Sequence, residues 1–444
     1  MLDIKVIREN PEDVKSRLKG RLIDCDEAVD RILVLDIERR KLIQKAETLK
    51  SEQNKASKQI PQMKKDGEDT AAVLGRLNSL KDEIKGADAE LKTTEDEYNE
   101  LMLALPNLPD ADLKAGGKEN NSPMRFYGGT AGQRDFEIKN HADLCAELGI
   151  IDYERGAKLS GNGYWIYRGM GSRLEWALLS YFLETHELEG YELIMPPLLL
   201  GYDCGVTAGQ FPKFKDDVYW IANDTGESKH FLLPTAETAL VNLHRDEILN
   251  ESDLPAKYAS YTPCFRREAG SYRADERGMI RGHQFNKVEM FQLTTPENSK
   301  DAFDELVTKA EMLVKDLGLK FRTVKLAAGD CSASMARTYD IEVYIPSMGE
   351  FKEVSSVSNA NDYQARRGNI RYRGEDGKIS YVHSINGSGL ATSRIVPAII
   401  EQYQNQDGTV DVPKPLRRFL RGREKIRKED KLTVNIKSAF SCGG

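Results

Sequence analysis

The stretch CFRREAGSYRADERGMIRGHQF, residues 264–285, carries Arg266, Arg267, Arg273, Arg277 and Arg281 beside Glu268, Asp275 and Glu276. A guanidinium offers a planar fork of donors that suits carboxylate and phosphate oxygens. A salt-bridge lattice would pair its charges at regular helical spacing, whereas Gly270, Ser271, Gly278 and Gly282 interrupt this one. The pattern predicts a loop shaped around a polyanion. Glu289 in the apolar run NKVEMFQLTT, and Glu237 in LLPTAETAL with Thr235 two residues before it on the same expected strand face, raise a second question. A buried carboxylate is costly unless paired, so each needs a structural Arg or Lys, or the ammonium of a ligand. Beside the arginine loop, the two carboxylates suggest a site that reads an amino group next to phosphates.

Two further segments fit that chemistry. FKEVSSVSN, 351–359, puts Glu353 and Ser355 on one strand face, followed by Ser356. Hard oxygens near a triphosphate suit Mg2+, which takes few protein ligands and keeps waters. HSINGSGLATSRIVPAIIEQYQ, 383–404, runs from a glycine-rich strand into an apolar helix with Arg394 at the junction. A guanidinium there can bond a phosphate while the glycines admit a flat ring. There is no GxxxxGK[ST] phosphate loop, so nucleotide chemistry must use another solution.

The elements that position these residues follow from periodicity. Ile32, Leu35, Arg39, Leu42, Ala46, Leu49, Gln53, Ala56 and Ile60 recur at steps of three and four, as do Val73, Leu77, Leu80, Ile84, Ala87, Leu91, Thr94, Tyr98, Leu101 and Leu105. Pro61 and Gly67, between the two runs, are expected to break the helix. The spacing predicts an antiparallel coiled-coil arm over 1–105, roughly 45–50 Å long at about 1.5 Å per residue. Residues 106–135, rich in Pro, Gly, Asn and Asp, read as a linker. The body, 136–430, alternates helices such as 299–318 with strands such as TYDIEVYIP, without a repeating strand–helix–strand unit. That predicts an α+β domain on a mainly antiparallel sheet, and 431–444 is a tail.

The chain has 444 residues, 40% hydrophobic and 30% charged, with net charge −7. That is enough for two domains and argues against indiscriminate coating of nucleic acid, while leaving room for a local basic face. No apolar run of about 20 residues and no apolar signal core are present, so no membrane partner and a cytoplasmic location are expected. Cys25, Cys145, Cys204, Cys264, Cys331 and Cys442 are scattered without a CxxC pair, so free thiols and no zinc are expected.

GYELIMPPLLL (190–200) is similar to class II motif 1, the arginine segment through NKVEM resembles motif 2 and its loop, and NGSGLATSR resembles motif 3. TAGQFPKF, PTAE, SNANDYQARRGNIRYR and NGSGL are similar to seryl-type signatures. Over about residues 1–425 the chain resembles the bacterial-type seryl-tRNA synthetases, whose tRNA-binding arm the N-terminal hairpin also matches. The resemblance implies a serine–tRNA ligase that activates L-serine with ATP and charges a serine tRNA, with a selenocysteine tRNA as an extension. It implies a homodimer formed around Pro197. Thr235, Glu237, Glu289, Asn386 and Ser388 would bind serine. Arg266 would hold the α-phosphate and carboxylate, Glu268 the adenine amino group, and Phe285, with the backbone near Gly282, the adenine face. Glu353 and Ser356 would carry Mg2+, and Arg394 would take the γ-phosphate and the other adenine face. By the same resemblance, Arg266 and Arg394 would be the catalytic pair.

The chain departs from the family's usual residues at Arg267, Tyr272–Ala274, Cys331, Ser332, Ala333, Val357, Thr392 and Ser393. An alternative is therefore a specialised copy that tolerates a seryl-adenylate-like inhibitor or uses a serine analogue.

Overall fold

A computed structural model describes residues 1–129, 134–223, 229–268 and 278–428. Two compact units emerge: residues 1–19 with 23–108, and residues 20–22 with 109 onward.

The first unit is built on two long helices, α1 (Asp26–Asp66) and α2 (Ala71–Ala104). Ile32, Leu35 and Ala46 of α1 and Leu80, Ile84, Ala87, Tyr98 and Met102 of α2 are buried. Ion pairs Arg31–Glu97, Arg39–Glu95, Lys50–Asp88 and Glu52–Arg76 climb one helix as they descend the other, so the hairpin is antiparallel. Pro61 does not break α1 as expected. The helix runs through it to Gly67, whose φ of +74° ends it in the left-handed conformation while its N–H bonds Met63 O. A proline removes one backbone donor and crowds the preceding turn; the helix continues for five residues beyond it to Asp66.

The second unit holds an eight-stranded sheet. In chain order its strands are β1 (Ser122–Tyr127), β2 (Glu192–Leu193), β3 (Ala256–Phe265), β4 (Gln284–Thr294), β5 (Phe321–Lys325), β6 (Arg337–Ile345), β7 (Glu350–Asn361) and β8 (His383–Ala391). They lie in the order β1-β5-β6-β7-β8-β4-β3-β2. All neighbours are antiparallel except the short edge strand β2, which joins β3 in parallel. Five helices support the sheet and its site: α3 (Met170–Leu188), α4 (Glu237–Leu240), α5 (Ser299–Asp316), α6 (Tyr363–Gly368) and α7 (Thr392–Gln402). Leu174, Leu178 and Phe182 of α3, Leu306 and Leu313 of α5, and Ile395 and Ile399 of α7 join Val288, Met290, Ile341, Val343 and Ile385 of the sheet in one apolar core.

Part of the expected linker is structured. Ser122–Tyr127 forms β1 at the sheet edge, pairing β5 with an irregularity between Pro123 and Arg125. Proline lacks the ladder donor and is tolerated at such an edge. The expected tail 431–444 with Cys442, and Gly270, Ser271, Arg273, Asp275, Glu276 and Arg277 of the arginine loop, lie outside the described residues. Cys25, Cys145, Cys204, Cys264 and Cys331 are free thiols. No described helix is long and apolar enough to cross a membrane.

Candidate active site

A cavity of about 640 Å³ opens over the middle of the sheet. Its walls include Thr235, Glu237, Arg266, Glu268, Gly282, Phe285, Glu289, Glu353, Ser356, Asn386, Ser388 and Arg394, the residues to which the family resemblance gave serine, ATP or Mg2+ roles. They arrive from three strands (β4, β7 and β8), two helix starts (α4 and α7) and the loops at 235, 266–268 and 282.

One pole of the cavity is acidic. Thr235 and Glu237 do not share a strand face as expected: the preceding strand ends at Leu232, and Glu237 opens α4. The tight turn still brings them together, with the Glu237 backbone N–H bonding Thr235 Oγ1 at 3.3 Å. Glu237 accepts from Gln364 Nε2 of α6 at 2.7 Å, and Gln364 Oε1 in turn accepts from Ser384 Oγ at 2.7 Å. Burial, and next the neighbouring Glu289 charge, push the Glu237 carboxyl up to about 7, against the Gln364 hydrogen bond. Glu289 is opposite Ser388 of β8 and accepts from Asn386 Nδ2 at 3.3 Å. The antiparallel ladder β3-β4-β8 thus sets Glu289 between its two flanking strands.

The other pole is cationic. Arg266 follows β3, donates through Nε to Pro234 O at 3.2 Å and stands 5.2 Å above the Phe285 ring. Arg394, in the first turn of α7, donates to Glu353 O at 2.7 Å and Ile280 O at 3.2 Å, and lies 3.4 Å from the Glu353 carboxylate. Burial would raise the Glu353 carboxyl, yet the charges of Arg394 and Arg266 hold it below the ordinary carboxylate range. The arginines of the opening segment divide their work. Arg266 and Arg281 line the cavity, Arg281 pairing with Glu268 at 2.7 Å. Arg267 instead holds the Asp216 carbonyl at 2.9 Å. Gly282 sits where a Cβ would fall 2.2 Å from the Trp165 ring and 2.8 Å from Gly163 O, so only glycine lets the chain pass beside Phe285.

Strand alternation would turn Ser356 away from Glu353, but β7 bulges. Glu353 pairs with Glu342 and Ser355 with Ile341, leaving Val354 as the extra residue. Ser355 turns inward and donates to Ser388 O at 2.6 Å, while Ser356 joins Glu353 in the cavity wall and donates to Asp340 Oδ1 at 2.5 Å.

Two family models match the chain: the Seryl-tRNA synthetase N-terminal domain over 1–109, and the tRNA synthetase class II core domain (G, H, P, S and T) over 219–403. Serine–tRNA ligase 2 of Clostridium acetobutylicum is 56% identical, covering 96% of this chain and 100% of its own. The chain belongs to the seryl-tRNA synthetase family. The serine–tRNA ligase of Caldicellulosiruptor bescii is 46% identical over 95% of this synthetase and 99% of its own chain. A crystal structure of seryl-tRNA synthetase from Pyrococcus horikoshii complexed with ATP superposes with a TM-score of 0.88 at 34% identity, covering 96% of this chain and 99% of that one. This synthetase is a serine–tRNA ligase with ATP as a substrate.

Sequence reasoning missed Lys287, which lines the synthetase's cavity between the acidic residues. Its signal was available: a lysine two positions before Glu289 on an otherwise apolar strand. The departures from family residues spread unevenly. Ser332 and Ser393 line the cavity. Cys331 packs with Val324 and Leu326 in a small satellite core, and Val357 belongs to the main core. Thr392 turns away from the cavity and bonds the buried Glu175 of α3 at 2.5 Å. The specialised-copy alternative gains no support from the relatives.

Proposed function

We propose that the synthetase forms seryl-adenylate in this cavity, with Glu237 and Glu289 taking the serine ammonium and Arg266 and Arg394 the phosphates. The observation that carries this assignment is the opposition of an acidic and a cationic pole within one cavity of about 640 Å³, sized for a small amino acid and a nucleotide together. Thr235, Asn386 and Ser388 line the serine end, and Glu268, Phe285 and the backbone at Gly282 the adenine end. A serine carboxylate oxygen bonds the α-phosphorus as the bond to the pyrophosphate oxygen breaks. The carboxylate is already ionised, so no general base is needed. Charge grows on the phosphoryl oxygens, where a fixed guanidinium is worth roughly 10²–10³ in rate. Glu353 and Ser356 would hold Mg2+, which when bound offsets phosphate charge. The residues present fit a hard cation, since Glu353 stays ionised and Ser356 lines the same cavity.

The adenylate then passes to the 3′-terminal ribose of a serine tRNA, held by the helical arm. Leu193, Met195 and Leu199 are exposed around Pro197, with Met195 90% accessible, which supports a homodimer through that segment. A solved structure of a cytoplasmic serine–tRNA ligase from Naegleria fowleri, 28% identical with a TM-score of 0.84 over 96% of this chain and 99% of that one, supports that compartment here. ATP–pyrophosphate exchange with serine, followed by charging of serine tRNA, tests the assignment together with Arg266→Ala, which should lower the exchange rate by about 10²–10³. Exchange unaltered in that variant would move the phosphates elsewhere, and a monomeric mass at micromolar concentration would refute the dimer.

A further inference from the structure

Lys287 occupies the centre of the acidic pole. Its side chain is 8% exposed, its Nζ donates to Thr235 Oγ1 at 2.8 Å, and it contacts the Glu289 carboxylate as an ion pair. The contacted Glu289 oxygen, Oε2, accepts no aligned hydrogen bond among the described residues. Lys287 meets one acceptor site of that buried oxygen, and its second lone pair remains for a ligand donor. A lysine with a purely structural duty would pair away from the cavity, whereas Lys287, Thr235 and Glu289 all line it.

The charges can be counted. Two buried carboxylates, Glu237 on α4 and Glu289 on β4, share the pole. Lys287 is the cation between them, and Arg266 approaches from the end of β3. Among the described residues, Glu353 of β7 and the Cys264 thiol of β3 are further titratable groups that interact with Lys287. Gln364 of α6 and Asn386 of β8 face it as neutral amides. Above about pH 7, with both carboxylates ionised and Arg266 given to the phosphates, two carboxylates against the Lys287 ammonium leave one unit of negative charge, which a single α-ammonium matches. We infer that Lys287 is a specificity-determining and positioning residue: it cancels one carboxylate and orients Thr235, so that the pocket accepts one ammonium and no more. This rests on the assignment of Glu237 and Glu289 to serine. The charge effect is consistent with the pole's chemistry, because Lys287 opposes the upward push on the Glu237 carboxyl.

The test is ATP–pyrophosphate exchange by the full chain from pH 6 to 9, with serine and ATP varied separately. Lys287→Met should raise serine KM about tenfold while ATP KM stays within about threefold. It should also move the rise of serine kcat/KM by about one unit to higher pH, since two adjoining carboxylates without their cation hold a proton longer. Lys287→Met combined with Glu289→Gln removes the cation with one carboxylate and should bring the profile back toward the parent's position. Lys287→Arg keeps the charge and should keep the parent profile even with a raised serine KM, and it stands as the readout if Lys287→Met does not fold. A Lys287→Met profile at the parent position, or a Lys287→Arg profile shifted upward, would overturn the inference. Parent enzyme that exchanges with another amino acid and not with serine would instead overturn the serine assignment.

Discussion

Glu353 and Ser356 stand three residues apart on β7 and still face one cavity, because Val354 is an extra residue in the pairing with β6. Ser356 is tied to Asp340, and Glu353 to Arg394. Burial, and then the charge of Glu353, push the Asp340 carboxyl well above its usual range. Glu353 is thus the anion of this wall that stays ionised. Glu353→Gln should raise ATP KM about tenfold and raise the Mg2+ concentration needed for half-maximal exchange, with serine KM within about threefold. Exchange kinetics against ATP and Mg2+ check this, and an unchanged response to both would remove Glu353 from the phosphate end.

The Glu237 carboxyl is pushed up to about 7, and the proposed contact with the serine ammonium then gives recognition a pH dependence. An ammonium needs the ionised form, so serine kcat/KM should rise through pH 7 and level off above it. Stability runs the other way. A carboxyl whose folded pKa is raised stabilises the fold fully below the ordinary carboxylate range and loses that contribution as pH rises through about 7. Glu237→Gln should flatten the rise at a much lower kcat/KM for serine. A profile in that variant that still climbs through pH 7 would assign the titration to another group.

Much of this arrangement was legible in the sequence, and the failures have physical causes. Heptads and the arginine–glycine mixture depend on residue type and spacing alone, so the hairpin, the arginine segment and the carboxylates Glu237, Glu289 and Glu353 stood out from the residues themselves, while Phe285, Asn386, Ser388 and the individual ligand roles came from the family resemblance. A bulge inserts one residue without changing residue types, so alternation put Ser355 beside Glu353 when the structure puts Ser356 there. Thr235 and Glu237 looked strand-like because their neighbours are apolar, yet the chain turns into a helix between them. Ser122–Tyr127 looked like linker because an edge strand has little to bury. Lys287 escaped notice because a lysine in a strand usually marks a solvated position, and only the packed sheet shows that it is enclosed.

Thr392 offers a stability test away from the reacting atoms. Glu175 is buried, and Thr392 at 2.5 Å and Asn286 at 2.7 Å donate to the same carboxylate oxygen. Burial pushes the Glu175 carboxyl up to about 7, and these donors oppose the push. Thr392→Val should cost about 1–3 kcal/mol at pH 8, where the carboxylate needs its donors. The cost should shrink near pH 5, where a carboxyl of still higher pKa is protonated in the folded state. Thermal melts at the two pH values check the difference, and an equal loss at both would mean packing alone is at stake.

In the arm, Lys45 and Lys50 pair with Glu90 and Asp88 across the hairpin. Lys41, Lys55, Lys58, Lys64 and Lys65 make no ion pair among the described residues and are available to phosphates. Changing these five to Gln should weaken tRNA binding and reduce the slope of log affinity against log salt by roughly 0.7–0.9 for each phosphate no longer neutralised. Pyrophosphate exchange should be unaffected, and deleting about residues 30–103 should abolish charging while exchange persists. Parallel loss of exchange would show that the hairpin supports the catalytic fold.

The strand β4 carries Phe285, Lys287 and Glu289 on alternate positions along one cavity, so in the proposed assignment a single pleated segment serves both the nucleotide and the amino acid. A slip of one residue would turn all three from the cavity at once. The two substrates are therefore registered to one ruler, and neither end can be retuned by sliding backbone without spoiling the other. Changes in amino-acid preference must come by side-chain replacement at fixed stations, or from the turn before α4 and the strand β8. A laboratory evolution experiment aimed at a larger amino acid should accordingly collect its substitutions at those two flanks and leave β4 as it is.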